Sequence, residues 1–446
     1  MTCCNTHCRR RARGGLAAGA WFRRSSLCWG LLMAVSLKAA EPVSDAVEIS
    51  DDQGVVVAMA RGDRDALQQV VAHPRNEFEQ ELAKVGLLRT GGRLDEATIQ
   101  LQACEKAMPA QHPMRGLCSL LIAGHLFMQR RMADWQQKLE WIRRTYYPLL
   151  AKDNPGRQPS LTDAEGVQFL PGASFPAPEV SWAQASGRIP YVSAARREGL
   201  EARQQAVVEV RIQGHRHHAV IDTGAAYDTL DPAVAKALGL QPAISYQKLT
   251  DAAGKVLSAP IGILPELRLG PVTVKNWPVS MTRTPATMVI GLPLLRRLGV
   301  VTLDAQGASL SRASDGRCTR PMLEGANISG SSDHLLYAIK VDGQPRTALI
   351  DTGGGFELLG IKSLLPPSAA KLEPKAISYA AGMRWVDSYP ARVRLDLGSG
   401  PRNLDFTIMD QPFALVPYEL GGEVLRHHTL VMDFLRRSVC IEPQAT

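Results

Sequence analysis

Between Arg64 and Leu150, apolar side chains recur every three to four residues and strand formers are few, the pattern of amphipathic helices packed on a core. Phe78, Leu82, Val85, Leu87 and Leu88 lead into the turn Thr90-Gly91-Gly92, and Asp95, Glu96 and Ala97 open a second helix running through Leu101 to Met108. A second pair is expected over 120–128 and 133–146. The period then vanishes. Residues 151–187 gather Pro155, Pro159, Pro171, Pro176 and Pro178 and predict a linker laid along the surface of the next domain. Beyond Arg188, short runs of Val, Ile and Leu broken by Gly, Pro and Asp predict a β-rich domain.

The β-rich part repeats itself. The stretch from Arg211 to Gly224 (RIQGHRHHAVIDTG) matches that from Lys340 to Gly353 (KVDGQPRTALIDTG) at an offset of 129, and Val301-Thr-Leu-Asp304 falls against Leu430-Val-Met-Asp433 at the same offset. A constant spacing held over that length predicts a duplicated β unit rather than a recurring tripeptide.

With 446 residues, 45% of them hydrophobic and 21% charged, the chain has enough apolar material for more than one core, which argues against wholesale disorder. A net charge of +8 invites a nucleic-acid partner until it is located. Arg9, Arg10, Arg11, Arg13, Arg23, Arg24 and Lys38 supply seven of those charges within a stretch of residues, 1–40, that has no acid. The nearly neutral remainder argues against a counterion-release binder of DNA or RNA. The same Arg-rich start, followed by an apolar run from Leu27 to Leu37 and by Lys38-Ala39-Ala40, reads as an export signal. No later stretch approaches about 18 apolar residues, so a periplasmic or secreted protein with no stable membrane span is expected. Cys3, Cys4, Cys8 and Cys28 leave with the signal. Of the remaining four, Cys104 with Cys118 and Cys318 with Cys440 would keep each bridge inside one region, the alternative being buried free thiols.

The chemistry sits in the repeat. Each copy places Asp-Thr-Gly directly after three apolar residues, so Asp222 and Asp351 each end a buried strand. Gly224 and Gly353 permit a tight turn beneath the carboxylate, and their amides, with the hydroxyls of Thr223 and Thr352, are expected to bond the carboxyls. Were two such carboxyls to stand about 3 Å apart, they could not both ionise and would share one proton.

On these residues the sequence resembles an aspartic peptidase, specifically the bacterial retropepsin-like proteins, with two lobes fused in one chain. Asp222-Thr-Gly-Ala-Ala-Tyr-Asp-Thr-Leu, with Ala225 after the glycine, is followed by Pro232–Leu238 and Gly239-Leu240 as in that family. Thr250-Asp251-Ala-Ala-Gly254 is similar to the tip of its flap, and Met288-Val-Ile-Gly291 to its apolar-apolar-Gly motif. The second copy keeps Asp351-Thr352-Gly353 but has Gly354 and Gly355 where Ala, Ser or Thr is usual. It offers Tyr379-Ala-Ala-Gly382 as a second flap and blurs the apolar-apolar-Gly motif to Tyr418-Glu-Leu-Gly-Gly422. The helical hairpins, outside this resemblance, are similar to tetratricopeptide repeats, the alternative being a small bundle.

Other clusters carry less. His215, His217 and His218 fall in a hairpin whose second copy has Gln344, Arg346 and Thr347, and they read as surface rather than metal ligands, as does His427-His428. There is no CxxC, no Gly-x-Ser-x-Gly elbow and no phosphate-binding glycine loop. The expected architecture is therefore multidomain α plus all-β: signal 1–40, helical repeat-like module 41–150, linker 151–187, and a bilobal pepsin/retropepsin-like β domain of lobes 188–318 and 319–446. The resemblance implies an exported aspartic endopeptidase acting on peptides or proteins, with Asp222 and Asp351 as catalytic pair and Thr223 and Thr352 locking the two loops against each other across the pseudo-twofold. No cofactor, metal or nucleic acid is implied, and no dimerisation is needed to complete the site. A protein partner for the helical module is a further expectation. The rival reading is a peptide-binding module whose cleft grips without cutting.

Overall fold

The computed structural model describes residues 54–109, 112–153, 167–192, 206–250, 256–283, 286–364, 373–379, 382–409 and 416–444, so the export signal lies outside the described residues. Six helices come first: α1 (Val55–Arg61), α2 (Arg64–Ala72), α3 (Glu77–Thr90), α4 (Leu94–Ala107), α5 (Pro113–Met128) and α6 (Met132–Asp153). Local chemistry sets their ends. Asn76 accepts from the amide of Glu79 at 2.8 Å while the Glu79 carboxylate takes the amide of Arg75 at 2.7 Å, a reciprocal cap at the start of α3. Gly92, at φ +67°, turns the chain into α4. The α1 segment escaped the periodicity because VVVAMA is apolar on every side, and it packs Val55, Ala58 and Met59 against Leu67 and Leu82 in the bundle core.

The strands, in chain order, are β1 (Glu179–Trp182), β2 (Ser186–Pro190), β3 (Val207–Ile212), β4 (His215–Ile221), β5 (Thr229–Leu230), β6 (Pro242–Thr250), β7 (Val256–Leu269), β8 (Val272–Met281), β9 (Met288–Ile290), β10 (Val300–Leu303) and β11 (Gly307–Ser311). The second unit continues with β12 (Leu323–Gly325), β13 (His334–Val341), β14 (Gln344–Asp351), β15 (Leu358–Ile361), β16 (Glu373–Tyr379), β17 (Gly382–Asp396), β18 (Pro401–Met409), β19 (Tyr418–Gly421), β20 (His428–Asp433) and β21 (Ser438–Pro443). The duplication is structural as well as sequential. In the first unit β4 lies parallel to β9, which pairs antiparallel with β5; in the second, β14 lies parallel to β19, which pairs antiparallel with β15.

A third sheet, ordered β2-β11-β10-β20-β21, joins the units, because β10 pairs with β20 from Val300↔Asp433 to Leu303↔Leu430. The repeat spacing of the closing strands thus has a physical meaning: the two copies meet there. Apolar residues of both lobes, including Ile221, Leu303, Ile350 and Leu430, share one core.

The segment expected as a bare linker carries structure. Helix α6 runs on to Asp153, β1 adds to the edge of the first lobe's sheet against β8, β2 enters the joining sheet, and Phe169 bridges Ile244 of β6. Proline is tolerated in edge strands, so the absence of a period hid two of them. The helical core in turn extends into the first lobe through Tyr227, Ile244, Ala259 and Ile261. Both expected bridges form, Cys104–Cys118 and Cys318–Cys440.

Arg296 ties the lobes at a second point. It donates from Nη2 to Glu324 Oε2 and Asp333 Oδ1, both at 2.8 Å, and pairs again with Asp333 through Nη1. Burial alone would lower its pKa, but the charges of Asp333 and Glu324 hold it above the ordinary value. Arg296→Met would strand two buried carboxylates and is expected to cost about 3–5 kcal/mol in urea unfolding; a loss below about 1 kcal/mol would show that the triad does not join the lobes.

Candidate active site

Strands β4 and β14 deliver the two aspartates to the boundary between the lobes. Ala219 and Ile221, and their counterparts Ala348 and Ile350, are fully buried, which fixes where each strand ends. The Asp222 amide donates to the carbonyl of Ile290 at 2.9 Å, and Asp351 pairs in register with Gly421, so each aspartate is seated beside the central parallel strand of its own lobe.

The threonine hydroxyls do not bond the carboxyls, but they do lock the two loops against each other, as expected, by crossing between lobes. Thr223 Oγ1 donates to the carbonyl of Ile350 at 2.7 Å and accepts from the Thr352 amide at 3.0 Å, while Thr352 Oγ1 donates to the carbonyl of Ile221 at 2.8 Å and accepts from the Thr223 amide at 3.1 Å. Both side chains are fully buried, so these four bonds satisfy amides and carbonyls that water cannot reach.

Backbone amides hold the carboxyls. Asp222 Oδ1 accepts from Gly224 at 2.9 Å, and Asp351 Oδ1 accepts from Gly353 at 3.1 Å and Gly354 at 3.2 Å. The two carboxyls are also hydrogen-bonded to each other. The glycines are required by close approach rather than by backbone angle. A β-carbon on Gly224 would stand 2.7 Å from Cγ of Asp351, and one on Gly353 would overlap the Asp222 carboxyl.

Beyond the shared Asp-Thr-Gly the loops close alike but pack differently. The amide of Leu292 bonds the Ala225 carbonyl at 2.9 Å, and that of Gly422 bonds Gly354 at 2.7 Å, so the two turns are built on one plan. Gly354 replaces the usual small side chain because the ring of Phe356 folds over it, 2.6 Å from where a β-carbon would lie. Its counterpart Tyr227 turns the other way, meeting Phe127 of α5 at 5.8 Å between ring centroids.

Of the flap residues, Asp251 and Gly254 lie outside the described residues, but β6 and β7 pair up to Thr250↔Val256 on either side of them. Tyr379 and Gly382 are the last register partners of the β16–β17 hairpin.

Electrostatics breaks the symmetry of the pair. Burial raises both carboxyls above the ordinary aspartate value, but the amides of Gly224, Ala225 and Gly353 pull Asp222 back. Burial, the Asp222 charge and the charge of Glu419 all push Asp351 well above the ordinary aspartate value.

Three charged residues at the site carried little sequence signal. Glu419, in β19, is pushed up to about 7 by burial and was visible only as a lone charge interrupting the second apolar-apolar-Gly motif. Asp228 accepts from the Gly291 amide at 2.8 Å and from Trp277 Nε1 at 2.9 Å, and burial pushes it up to about 6 against the pull of Arg130. Arg130, in the turn between α5 and α6, donates to the carbonyl of Ala226 at 3.0 Å and stacks over Phe127, 4.6 Å from its centroid. The helical module therefore supports the first aspartate loop from behind, a contact with no local motif to announce it.

The Asp351 shift sets a testable slope. Its folded value lies well above the ordinary 3.8, so the native state holds this proton more tightly and wild-type stability falls as pH rises through that interval. Asp351→Asn removes the dependence. The unfolding free energy of the variant minus that of wild type, from urea curves, is expected to move in the variant's favour between about pH 4 and pH 7; a difference independent of pH would contradict the shift.

Residues 208–297 match the protein family described as gag-polyprotein putative aspartyl protease, a segment that contains Asp222 and the first lobe's closing motif but stops short of Asp351. No curated protein matches the chain. Residues 208–297 thus form an aspartyl-protease-like domain, and the second lobe, built on the same strand order with a facing Asp-Thr-Gly loop, gives the β-rich part a bilobal pepsin-like fold.

Proposed function

We propose that the protein is an aspartic endopeptidase whose catalytic pair is Asp222 and Asp351. The observation that carries this reading is the pair of Asp-Thr-Gly carboxyls brought together across the lobe boundary, held by amides and by the crossed threonines. Asp222, the ionised partner, takes a proton from a water placed between the carboxyls as the water's oxygen attacks the scissile carbonyl carbon. Asp351 gives its proton to the carbonyl oxygen, forming a neutral tetrahedral gem-diol. The proton now on Asp222 then passes to the leaving nitrogen, the C–N bond breaks, and one hydroxyl of the diol returns a proton to Asp351 as the new carboxyl forms. Gly224, Gly353, Ala225 and Gly354 shape the loops, and the β6–β7 and β16–β17 hairpins close over the peptide. Since one chain supplies both aspartates, the site needs no second copy. The packing of Phe356 on Gly354 accounts for the second lobe's departure without invoking a cleft that only binds.

The compartment is part of the proposal. Two disulfides support an oxidising space, and with the Arg-rich, apolar start of the chain they favour export to the periplasm or medium.

Asp222→Asn and Asp351→Asn are each expected to lower kcat/KM on a mixed-peptide substrate by about 10³-fold or more. Wild-type cleavage is expected to fall as pH rises through the upper apparent pKa of the pair, where the proton held by Asp351 is lost. Cleavage unchanged by both substitutions in folded protein would overturn the assignment.

A further inference from the structure

The two lobes present different side chains at one equivalent position. In the first, Val220 of β4 pairs with Val289 of β9; in the second, Leu349 of β14 pairs with Glu419 of β19. Val289 and Glu419 each stand two residues before the glycine that closes the loop, Gly291 or Gly421. Both are 9% exposed.

Glu419 shares the face of the aspartate. Along β14, Ala348 and Ile350 are buried in the core while Leu349 and Asp351 lie on the opposite, less buried side. Residues paired in register point to the same side of a sheet, so Glu419, beside Leu349, points where Asp351 points. Its other register partner is Leu359 of β15, again apolar. A carboxyl nine-tenths buried between two leucines has no hydrogen-bond or ion-pair partner among the described residues, yet it is close enough for its charge to act on Asp351.

As an anion such a group is costly unless a cation reaches it, and without one it holds a proton more readily than an exposed glutamate. Other buried carboxylates meet a cation within the chain, Arg130 acting on Asp228 and Arg296 reaching across from the first lobe to Glu324 and Asp333 of the second. Glu419 is left facing the position where substrate lies.

We propose that Glu419 is a specificity residue that receives a lysine or arginine side chain flanking the scissile bond on the second-lobe side, while Val289 receives an apolar side chain on the first-lobe side. The substrate class is then a peptide in which a basic residue adjoins an apolar one at the cut. This rests on the peptidase reading for the word "scissile", but not for the binding preference itself.

The test uses the full chain and four fluorescent peptides with a reduced, uncleavable central bond: Lys-Leu, norleucine-Leu, Leu-Lys and Leu-norleucine at the centre. Norleucine keeps the lysine stem and drops the charge. By fluorescence anisotropy, one lysine peptide is expected to bind about tenfold more tightly than its norleucine twin. That advantage is expected to vanish in Glu419→Val, which installs the first lobe's residue, to shrink in the isosteric Glu419→Gln, and to reverse in Glu419→Lys. Equal binding of both pairs by wild type, or a lysine advantage that survives Glu419→Val, overturns the proposal. The same peptides with ordinary amide bonds separate the two readings: a Glu419-dependent lysine advantage without cleavage removes the peptidase and keeps the basic site, whereas cleavage without any lysine advantage does the reverse.

Discussion

Two hydroxyls, each reaching from one lobe into the other, set the geometry on which the cleft depends. Thr223 and Thr352 satisfy each other's amides and the carbonyls of Ile350 and Ile221, all of them buried. Loss of either hydroxyl would leave an amide and a carbonyl unpaired in a dry boundary, a cost larger than the bond itself is worth in water. The grip brings the loops so close that neither glycine can carry a β-carbon, and it places the carboxyls within hydrogen-bonding reach of each other. The joining sheet, through β10 and β20, sets the lobes in register at the far end of the same strands' core. The dyad is thus a consequence of how two copies of one unit meet.

Around that symmetrical contact the copies have diverged. The first lobe leans on the helical module, which reaches its aspartate loop through Arg130 and packs against Tyr227 and the base of the β6–β7 hairpin. The second lobe folds Phe356 over its own glycine, and the counterpart of Asp228, Glu357, is paired with Arg402 in the same lobe. Val289 in one copy has Glu419 as its counterpart in the other. These differences make the two carboxyls unequal, because burial with the charges of Asp222 and Glu419 raises Asp351 while the interaction with Asp351 and three amides tempers the rise that burial gives Asp222.

How much of this was legible depends on whether the cause was local. The helices of residues 77–107, the strands ending in Asp222 and Asp351, the duplication and both cysteine pairings follow from period, spacing and count. The continuous apolar run of α1 and the proline-rich edge strands β1 and β2 gave no period to read. The threonine lock between the loops was expected from the duplicated Asp-Thr-Gly; the added expectation that the hydroxyls bond the carboxyls failed because the opposite lobe supplies a buried carbonyl to each. Arg130 was invisible for the same reason, its acceptor lying 96 residues away. Asp251 and Gly254 lie outside the described residues, and the flap tip they were assigned to rests on the sequence alone.

The central claim is that Asp222 and Asp351 share one proton in a single site. Carboxyl-¹³C NMR titration of the aspartates measures this directly. The account predicts two coupled transitions, both above the ordinary aspartate value and the upper one well above it, with the upper one lost in either single Asn variant. Two independent titrations near the ordinary value of 3.8, each surviving substitution of the other residue, would contradict it.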